Sequence, residues 1–407
     1  MKQLVSALSF LLLCLHGSAQ WSQLTSGTSS DLNSIHFADN ATGWVAGEDG
    51  KILHTVNGGT SWAPQVSGTS AELYSIYFTD AMNGWAAGEH GTIRHTTNGG
   101  TSWTSQASGT VFDLYAIHFF DATLGIAAGE TGVLLRTVNG GATWSIALAG
   151  NGGSGSGSSG SSGSETVFTD VQLVSSTFGY ACGKSGYFMK STDGGVSWTA
   201  QTTGVTEDFA AIHFPSAGHG YIAYELGKVK HTTGNGTFTS VYAATSKDLK
   251  GVWFVSDNRG WVVGDEGRIY LTADGGTTWH TQNLATVEED LRSVHFPSVT
   301  TGYIAGKDGT ILKLSNAETA GIGEQSSLHQ LSAYPNPVTG TVTVQLKEEL
   351  ASGTSTVIVT DAAGRIISEL TATEPTLLLP TDNWTSGYYT LRVVNGQQTE
   401  TAKILKQ

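Results

Sequence analysis

A repeat of about 41 residues is the feature that most constrains the fold of this chain. Four tryptophans are each 41 residues apart, namely Trp21, Trp62, Trp103 and Trp144. Three copies of a longer unit end at Trp62, Trp103 and Trp144. Four further copies run through Val171, Ile212, Val252 and Val294. Self-similarity at a fixed period indicates an architecture in which each unit packs on its neighbours. The alignment predicts seven such units.

Each unit contains four short runs typical of β-strands. In the first unit these runs are LNSIHF, GWVAGE, KILHTV and SWAPQVS. They alternate apolar and polar residues, are rich in β-branched side chains, and are separated by Gly or Asn-Gly breaks. The 53 Gly residues and the 13% charged residues also suit short strands joined by tight turns. Four strands in about 40 residues indicate one blade of a β-propeller.

The two ends of the repeat region complement each other. The seventh unit stops near Glu318 without a tryptophan-bearing strand, whereas the segment WSQLTSG supplies one at Trp21. If this N-terminal strand completes the last blade, it removes an exposed sheet edge. We therefore predict an all-β chain, a seven-bladed β-propeller closed by the N-terminal strand and followed by a small antiparallel β-sandwich.

The N-terminus has the pattern of a secretory signal peptide. Lys2 precedes an apolar stretch from Leu4 to Leu15, and small residues up to Ala19 form a cleavage site. Cleavage near Ala19 would leave Cys182 as the remaining cysteine, so no internal disulfide is expected. The predicted organisation is a signal peptide at 1–19, the propeller at 20–317 with a flexible Gly/Ser insertion at 149–165, a linker at 318–330 and a second domain at 331–407.

Charge argues against one class of partner. The formal net charge is −14, and basic residues are not clustered. Nucleic-acid binding depends on clustered basic residues that neutralise phosphates, so no nucleic-acid partner is expected. Beyond the signal peptide, no segment is long and apolar enough to suggest a transmembrane span.

The octapeptides that end in tryptophan resemble Asp-box (BNR) repeats. The full unit resembles the photosystem II stability/assembly factor family of seven-bladed propellers, and the match spans residues 21–317. The Asn-Gly-Gly or Asp-Gly-Gly segment predicts a tight turn between the two outer strands, with the tryptophan packed beside it. The predicted structural Asp-box residues are Asn57, Trp62, Asn98, Trp103, Asn139, Trp144, Asp193, Trp198, Asp274 and Trp279. This resemblance implies a fold and not an activity.

The tail resembles the C-terminal sorting domain of type IX secretion substrates from Bacteroidetes. The residues that carry this match include Tyr334, Pro335, Asn336, Pro337, Gly364, Arg365 and Lys403. The resemblance implies recognition by the type IX secretion machinery, and a secreted or outer-membrane surface location reached through the periplasm. It also makes a photosystem role unexpected, because that lineage lacks photosystem II. A carbohydrate-binding β-sandwich is the alternative interpretation of the tail.

Catalysis has little support in the sequence. Related propellers include sialidases, which need an arginine triad, and xyloglucan hydrolases, which use a cleft between two propellers. The arginines of the repeat region, Arg94, Arg136, Arg259, Arg268 and Arg292, occupy repeat positions. A glycosidase also needs two carboxylates at a defined separation, and every acidic candidate is explained by the repeat. We predict no catalytic residues and no cofactor, with an Asp-box glycan hydrolase, sialidase-like or xyloglucanase-like, as the alternative.

Histidines recur at one inner-strand position. They are His36, His118, His213 and His295, with Tyr77 and Trp253 in the matching positions. A metal ion needs three or four ligands within about 2 Å. Residues on separate blades are spread around a ring, so we expect them to lie too far apart for a metal site and to pack between blades.

Acidic turns predict a ligand face. The turn before the inner strand carries Asp31, Glu72, Asp113, Asp208, Asp248 and Asp290. The turn between the second and third strands carries Glu48, Glu89, Glu130, Glu225 and Asp265. These side chains can simply cap turns, or they can form a binding face for a cationic partner, a divalent ion or a sugar.

Two residues after the first acidic position, in the inner strand, the residue type varies from blade to blade, as contact with an asymmetric ligand would require. The position holds Asn33, Tyr74, Tyr115, Thr169, Ala210, Lys250 and Arg292. The overall prediction is a non-catalytic binding or scaffold propeller, secreted or at the cell surface. Its partner would be an extracellular protein or glycan bound at the propeller mouth.

Overall fold

A computed structural model describes most of the repeat region and parts of the tail. In the repeat region it covers residues 21–148, 166–216, 218–233, 237–243 and 245–315. In the tail it covers residues 332–334, 338, 340–345, 355–361, 366–372, 376–385, 387–395 and 398–406. The predicted signal peptide, Gly/Ser insertion and linker lie outside the described residues. The chain divides into two compact units, Met1–Ile322 and Gly323–Gln407.

The described strands of the first unit form seven four-stranded antiparallel sheets, named blades 1 to 7. Blade 1 contains β2 to β5 (Leu32–Phe37, Gly43–Gly47, Ile52–Thr55, Ala63–Gln65), and blade 2 contains β6 to β9 (Leu73–Phe78, Gly84–Gly88, Ile93–Thr96, Thr104–Gln106). Blade 3 contains β10 to β13 (Leu114–Phe119, Gly125–Gly129, Leu134–Thr137, Ser145–Leu148), and blade 4 contains β14 to β17 (Phe168–Leu173, Gly179–Gly183, Phe188–Ser191, Thr199–Ala200). Blade 5 contains β18 to β21 (Phe209–Ser216, His219–Tyr224, Lys228–Thr232, Phe238–Tyr242), and blade 6 contains β22 to β25 (Leu249–Phe254, Gly260–Gly264, Arg268–Thr272, His280–Thr281). Blade 7 contains β26 to β28 (Leu291–Ser298, Thr301–Gly306, Ile311–Ser315) together with β1 (Trp21–Leu24). Short 3-10 turns follow the second strands of blades 1 to 4, at Glu48–Gly50, Glu89–Gly91, Glu130–Gly132 and Lys184–Gly186.

The N-terminal strand completes blade 7. Strand β1 pairs antiparallel with β28, with Trp21 opposite Leu314. The Trp21 ring is buried, and its Nε1 donates to Gln282 Oε1 at 3.2 Å. The inner strand β2 packs against β26 of blade 7, and Ile35 N donates to Ser293 Oγ at 3.3 Å. The first and last parts of the repeat region are therefore held together by one ladder and by contacts between inner strands.

Aromatic stacking between adjacent blades builds the cores. The tryptophan of the second strand lies against the inner-strand phenylalanine of the next blade, as in Trp44 on Phe78 at 3.5 Å between ring centroids. Trp85 and Phe119 repeat this stack at 3.6 Å. In blades 1, 2, 3 and 6 the glycine that begins the second strand leaves room for the phenylalanine of its own blade, because a Cβ on Gly43, for example, would lie 2.5 Å from the Phe37 ring. The recurring F and GW elements of the repeat are thus packing partners.

The Asp-box forms the turn predicted between the outer strands. Asn57 Oδ1 accepts from Ser61 N at 3.0 Å, and Gly58 and Gly59 both have positive φ. Trp62 packs edge-on against Phe37 at 5.9 Å between ring centroids. The equivalent Asn98, Asn139, Asp193 and Asp274 accept the matching backbone hydrogen bonds. In the fifth unit residues 234–236 lie outside the described residues, and Phe238 packs edge-on against Phe188 of blade 4.

The tryptophans of two of these boxes also tie blades together, which the sequence did not predict. Gln65 of blade 1 accepts from Trp103 Nε1 of blade 2 at 3.2 Å and donates to Gly99 O at 2.9 Å. Gln106 and Trp144 repeat the contact between blades 2 and 3 at 3.2 Å. In blades 2 and 3 the motif therefore links neighbouring blades as well as forming a turn.

The second unit contains two antiparallel sheets around a common core. One sheet has the order β29-β30-β33 (Ser332–Tyr334, Thr341–Gln345, Thr376–Pro380), and the other has the order β32-β31-β34-β35 (Ile366–Ala372, Ser355–Asp361, Gly387–Asn395, Gln398–Lys406). Buried Val342 of the first sheet and Val357 of the second belong to the same hydrophobic cluster. This arrangement agrees with the predicted β-sandwich.

The predicted sorting residues are only partly visible. Tyr334 lies in β29 and Lys403 in β35. Pro335, Asn336, Pro337, Gly364 and Arg365 lie outside the described residues. Within the described ranges, no helix has the length and apolar character that a membrane crossing requires.

Candidate ligand-binding mouth

The inner strands of the seven blades surround a central cavity of about 570 Å³. All seven residues at the variable position line it, namely Asn33, Tyr74, Tyr115, Thr169, Ala210, Lys250 and Arg292. They lie near the N-terminal ends of the inner strands, next to the acidic turns. The opposite ends of the blades carry the Asp-box turns, because Gly58 N donates to Ala41 O in the turn that follows β2. We call the end with the acidic turns the mouth.

Aspartates of the first acidic position cap turns of the preceding blade. Asp113 Oδ1 accepts from His90 N at 2.8 Å, and Asp208 Oδ1 accepts from Ser185 N at 2.8 Å. Asp248, Asp290 and Asp31 cap Leu226, Glu266 and Asp308 in the same way, at 3.1 Å each. Each capped residue has positive φ. The capping interpretation of these aspartates therefore has direct geometric support.

Glutamates of the second acidic position bind backbone within their own blade. Glu48 Oε2 accepts from Asp31 N at 3.1 Å, and Glu89 Oε2 accepts from Glu72 N at 3.0 Å. Glu130 Oε2 accepts from Asp113 N at 3.2 Å. Capping satisfies one oxygen of each carboxylate but leaves its negative charge at the mouth.

Cations balance this charge on one side of the mouth. Arg292 Nη2 lies 2.6 Å from Asp31 Oδ2, and its other terminal nitrogen donates to Asn33 Oδ1. Lys307 Nζ lies 2.6 Å from Asp290 Oδ2, and Lys250 Nζ lies 3.4 Å from Asp248 Oδ2 and 3.7 Å from Asp265 Oδ2. These pairs belong to blades 6, 7 and 1. On blades 2 and 3, Glu72, Glu89, Asp113 and Glu130 have no ion-pair partner among the described residues.

Two tyrosines lie on this acidic side of the mouth. The rings of Tyr74 and Tyr115 are 5.0 Å apart between centroids and inclined at 47°. Tyr115 Oη donates to Glu130 Oε1 at 3.3 Å. Burial, followed by the charges of neighbouring carboxylates, raises the pKa of Tyr115 to about 12 and raises that of Tyr74 above its usual range. Both phenols are therefore neutral at ordinary pH.

Deeper in the cavity, the recurrent histidine position forms a collar. Its seven members, one from each blade, are His36, Tyr77, His118, Gln172, His213, Trp253 and His295. Ring centroids are 4.3 Å apart for His36 and His295 and 4.4 Å apart for Tyr77 and His118. The predicted packing of these residues between blades is confirmed, because rings from adjacent blades touch. Gln172 was missed, because it differs in type from the other members.

The collar histidines are engaged in packing and backbone hydrogen bonds. His118 Nδ1 accepts from Leu173 N at 3.3 Å, and His213 Nδ1 accepts from Phe254 N at 3.2 Å, in each case in the next blade. Burial lowers the pKa of both imidazoles to about 3, with a further contribution from the charge of His118 at His213. Among the residues that the structure describes, no group of three or more His, Cys, Asp or Glu side chains is arranged to hold a metal ion.

Asp170 is a cavity residue that sequence reasoning missed. It occupies the position where blades 1 and 2 have Ser34 and Ser75, whose hydroxyls accept a backbone hydrogen bond from the next blade. Asp170 Oδ2 accepts from Ile212 N at 2.8 Å, and burial raises the pKa of its carboxyl to about 7. The alignment of the repeats could have identified Asp170, because it is an acidic residue at a position where the first two units have serine.

The arginines do not form a triad in the described part of the cavity. Arg292 lines the cavity, whereas Arg136 Nε donates to Gly194 O at 2.7 Å and Arg94 bonds Gly68 O. Arg268 lies 3.6 Å from Glu266.

Comparison with known families supports both resemblances. The family described as photosynthesis system II assembly factor YCF48 matches residues 14–109 and 237–368. The secretion system C-terminal sorting domain matches residues 332–407. No curated protein matches the chain in sequence.

Solved propellers share the fold at low sequence identity. The structure titled "YCF48 bound to D1 peptide" has 20% identity and a TM-score of 0.60, covering 73% of this chain and 97% of that one. YCF48 from Cyanidioschyzon merolae has 21% identity and a TM-score of 0.60, with 73% and 99% coverage. The WD40 β-propeller domain of Doa1 has 13% identity and a TM-score of 0.59, with 76% and 99% coverage. The predicted propeller fold is confirmed.

Proposed function

Because the chain belongs to the photosynthesis system II assembly factor YCF48 family and ends in a secretion system C-terminal sorting domain, we propose that it is an exported, non-catalytic propeller that binds a polypeptide at its mouth. The sorting domain implies secretion or an outer-membrane surface location and contact with the secretion machinery. The propeller would then act outside the cell as a binding or scaffold module.

One observation carries this proposal. Within the repeat, the cavity-lining position nearest the acidic turns differs in chemistry from blade to blade, from tyrosine on blades 2 and 3 to lysine and arginine on blades 6 and 7. A cavity of about 570 Å³ is in the range of ligand-binding sites, and a peptide segment can enter such a mouth. A related propeller is titled as bound to a peptide, which favours a polypeptide over a glycan.

An obstructing substitution tests the proposal. Ala210 lines the cavity, so Ala210→Trp should fill the mouth, whereas the exposed Val138 on the opposite end accepts Val138→Trp as a matched control. The full-length natural protein and each full-length variant are tested on two sets of candidate ligands. Capture of solubilised cell-surface proteins is measured by quantitative mass spectrometry, and sugar binding is measured on a glycan array. We expect specific polypeptides to be captured by the natural protein and the control, and lost with Ala210→Trp.

Two outcomes would contradict the proposal. Capture that is unaffected by Ala210→Trp would place binding elsewhere on the chain. Binding of glycans with no polypeptide captured would replace a polypeptide partner with a sugar, and release of a reducing end from such a glycan would favour the hydrolase alternative.

A further inference from the structure

We propose that Tyr74, Tyr115 and the carboxylates around them form a subsite for a cationic side chain, lysine or arginine, of the bound polypeptide. The inference rests on the proposed function and specifies the chemistry of one part of its ligand. The aromatic pair and the uncompensated charge point to this ligand, and an unsatisfied buried nitrogen belongs to a residue that lines the same cavity.

Charge is distributed unevenly around the mouth. On blades 6, 1 and 7, Asp248, Asp31 and Asp290 are paired with Lys250, Arg292 and Lys307 respectively. Glu72, Glu89, Asp113 and Glu130 lack such partners within the described ranges, although all are half-buried. Four negative charges beside a partly enclosed cavity create a potential that attracts a cation and repels a carboxylate.

The tyrosine pair provides the complementary surface. Tyr74 and Tyr115 line the cavity as neutral rings 5.0 Å apart, and the charges of Glu72, Asp113 and Glu89 all act on the Tyr74 phenol. The rings and the carboxylates therefore converge on one region. A cation over an aromatic face is attracted by the ring electrons, and the aliphatic stem of lysine or arginine can pack on the rings.

His36 supplies an unsatisfied hydrogen-bonding atom in the same cavity. Its side chain is 9% exposed, and its Nδ1 has no hydrogen-bond partner among the described residues. The equivalent atoms of His118, His213 and His295 each accept a backbone amide from the next blade. Burial, with a smaller effect of His118, lowers the pKa of His36 to about 3, so its imidazole is neutral. A neutral imidazole can accept a hydrogen bond from an ammonium or guanidinium donor, or from the backbone beside it.

The geometry favours an organic cation over a metal ion. Glu89 and Glu130 each use one oxygen to accept a backbone amide, and Glu130 also accepts from Tyr115. The structure gathers no three or more acidic or histidine side chains into a metal-binding group in its described part. An ammonium or guanidinium tolerates this looser arrangement, because it needs only nearby charge, acceptors and an aromatic face.

A peptide array on the full-length protein tests this subsite. The probes are fluorescein-labelled twelve-residue peptides of random sequence. The tightest binders are resynthesised with each lysine or arginine replaced by norleucine or citrulline, and affinity is measured by fluorescence anisotropy. We expect one cationic position whose replacement weakens binding about tenfold. Peptides whose affinity does not depend on any cation would overturn the subsite while leaving peptide binding intact. The absence of peptide binding would overturn the subsite and the proposed function together.

Protein variants then locate the cation. Tyr74→Ala with Tyr115→Ala should weaken the cationic peptide about tenfold, while the two Tyr→Phe substitutions keep the rings and the affinity. Glu89→Gln keeps an oxygen for the Glu72 amide but removes the charge, and should weaken binding several-fold. Glu225→Gln is the matched control, because it occupies the same turn position on blade 5. Equal effects of Glu89→Gln and Glu225→Gln, or no effect of the tyrosine pair, would refute the assignment. The melting temperature checks that each variant is folded.

Discussion

The carboxylate of Asp170 in blade 4 accepts a hydrogen bond from the backbone amide of Ile212 in blade 5, at 2.8 Å from Oδ2. In blades 1 and 2 a serine hydroxyl serves the same purpose, as Ser34 Oγ does for Ile76 N at 3.1 Å. A neutral acceptor is thus sufficient at this junction between blades, and a charged one is costly when buried.

Replacing Asp170 with serine should therefore stabilise the propeller at high pH. Burial raises the folded-state pKa of Asp170 to about 7, above the 3.8 of an ordinary aspartate, so the folded state binds more protons between these values. Stability from this group is present at low pH and is lost as pH rises through about 7. Relative to the natural protein, Asp170→Ser should gain about 1–2 kcal/mol at pH 8 compared with pH 5, measured by urea unfolding. The exposed Asp49→Ser serves as the control, and an equal change at both pH values for Asp170→Ser would contradict the assignment.

The collar should make the propeller sensitive to acid. Burial lowers the pKa of His36 to about 3 from 6.5, so between these values the unfolded chain binds more protons and stability falls as pH falls. His36→Tyr, which copies Tyr77, should make the decline between pH 6.5 and 4 shallower by up to about 1.4 kcal/mol per pH unit. Thermal unfolding monitored by tryptophan fluorescence measures this slope. The exposed His90→Thr serves as control, and an unchanged slope in His36→Tyr would count against a buried neutral imidazole.

Asp193 tests the role of the Asp-box. Hydrogen bonds from the Ser197 hydroxyl and amide lower its pKa to about 2, so this contribution is complete above pH 4 and is lost as pH falls towards 2. Asp193→Asn preserves the acceptor, as Asn57 does in blade 1, and should be nearly neutral at pH 7. Asp193→Ala should cost about 1 kcal/mol by urea unfolding. Equal stability of the Asn and Ala variants would show that the side-chain acceptor is dispensable.

Trp21 tests the closure of the ring. Its buried side chain packs with Phe296 at 6.0 Å between ring centroids, and its strand covers the edge of β28. Trp21→Ala should cost about 3–5 kcal/mol in the free energy of unfolding, because it empties a core site and loosens β1. Gln23→Ala, on an exposed face of the same strand, should cost under about 0.5 kcal/mol. Similar losses in the two variants would argue against a specific contribution of the Trp21 side chain.

The sorting domain should control export. Deletion of residues 331–407 should leave the propeller in the periplasm, because the family match places the sorting signal in this segment. Cell fractionation and immunoblotting measure the distribution. A surface-exposed truncated chain would show that export does not require the tail.

Much of the fold followed from local pattern. The 41-residue period, the strand-like runs and the Asn-Gly-Gly or Asp-Gly-Gly turns depend on residues close in sequence, and five of the seven units carry the turn. The same alignment identified the cavity-lining position, because Tyr74, Lys250 and Arg292 interrupt an otherwise regular strand. Capping by the acidic turns was one of two interpretations, and the hydrogen bond from His90 N to Asp113 shows it directly.

The sequence by itself determined the repeat, the strand order within each unit and the residues that face inward. Only the tertiary structure decided how close those residues come to their neighbours on the adjacent blade, since that distance depends on the tilt and packing of the inner strands. His36 and His295 touch although 259 positions separate them, and Arg292 reaches Asn33 and Asp31 across the same junction. Such contacts leave no local signal in the chain, because they arise from ring closure and not from neighbouring residues.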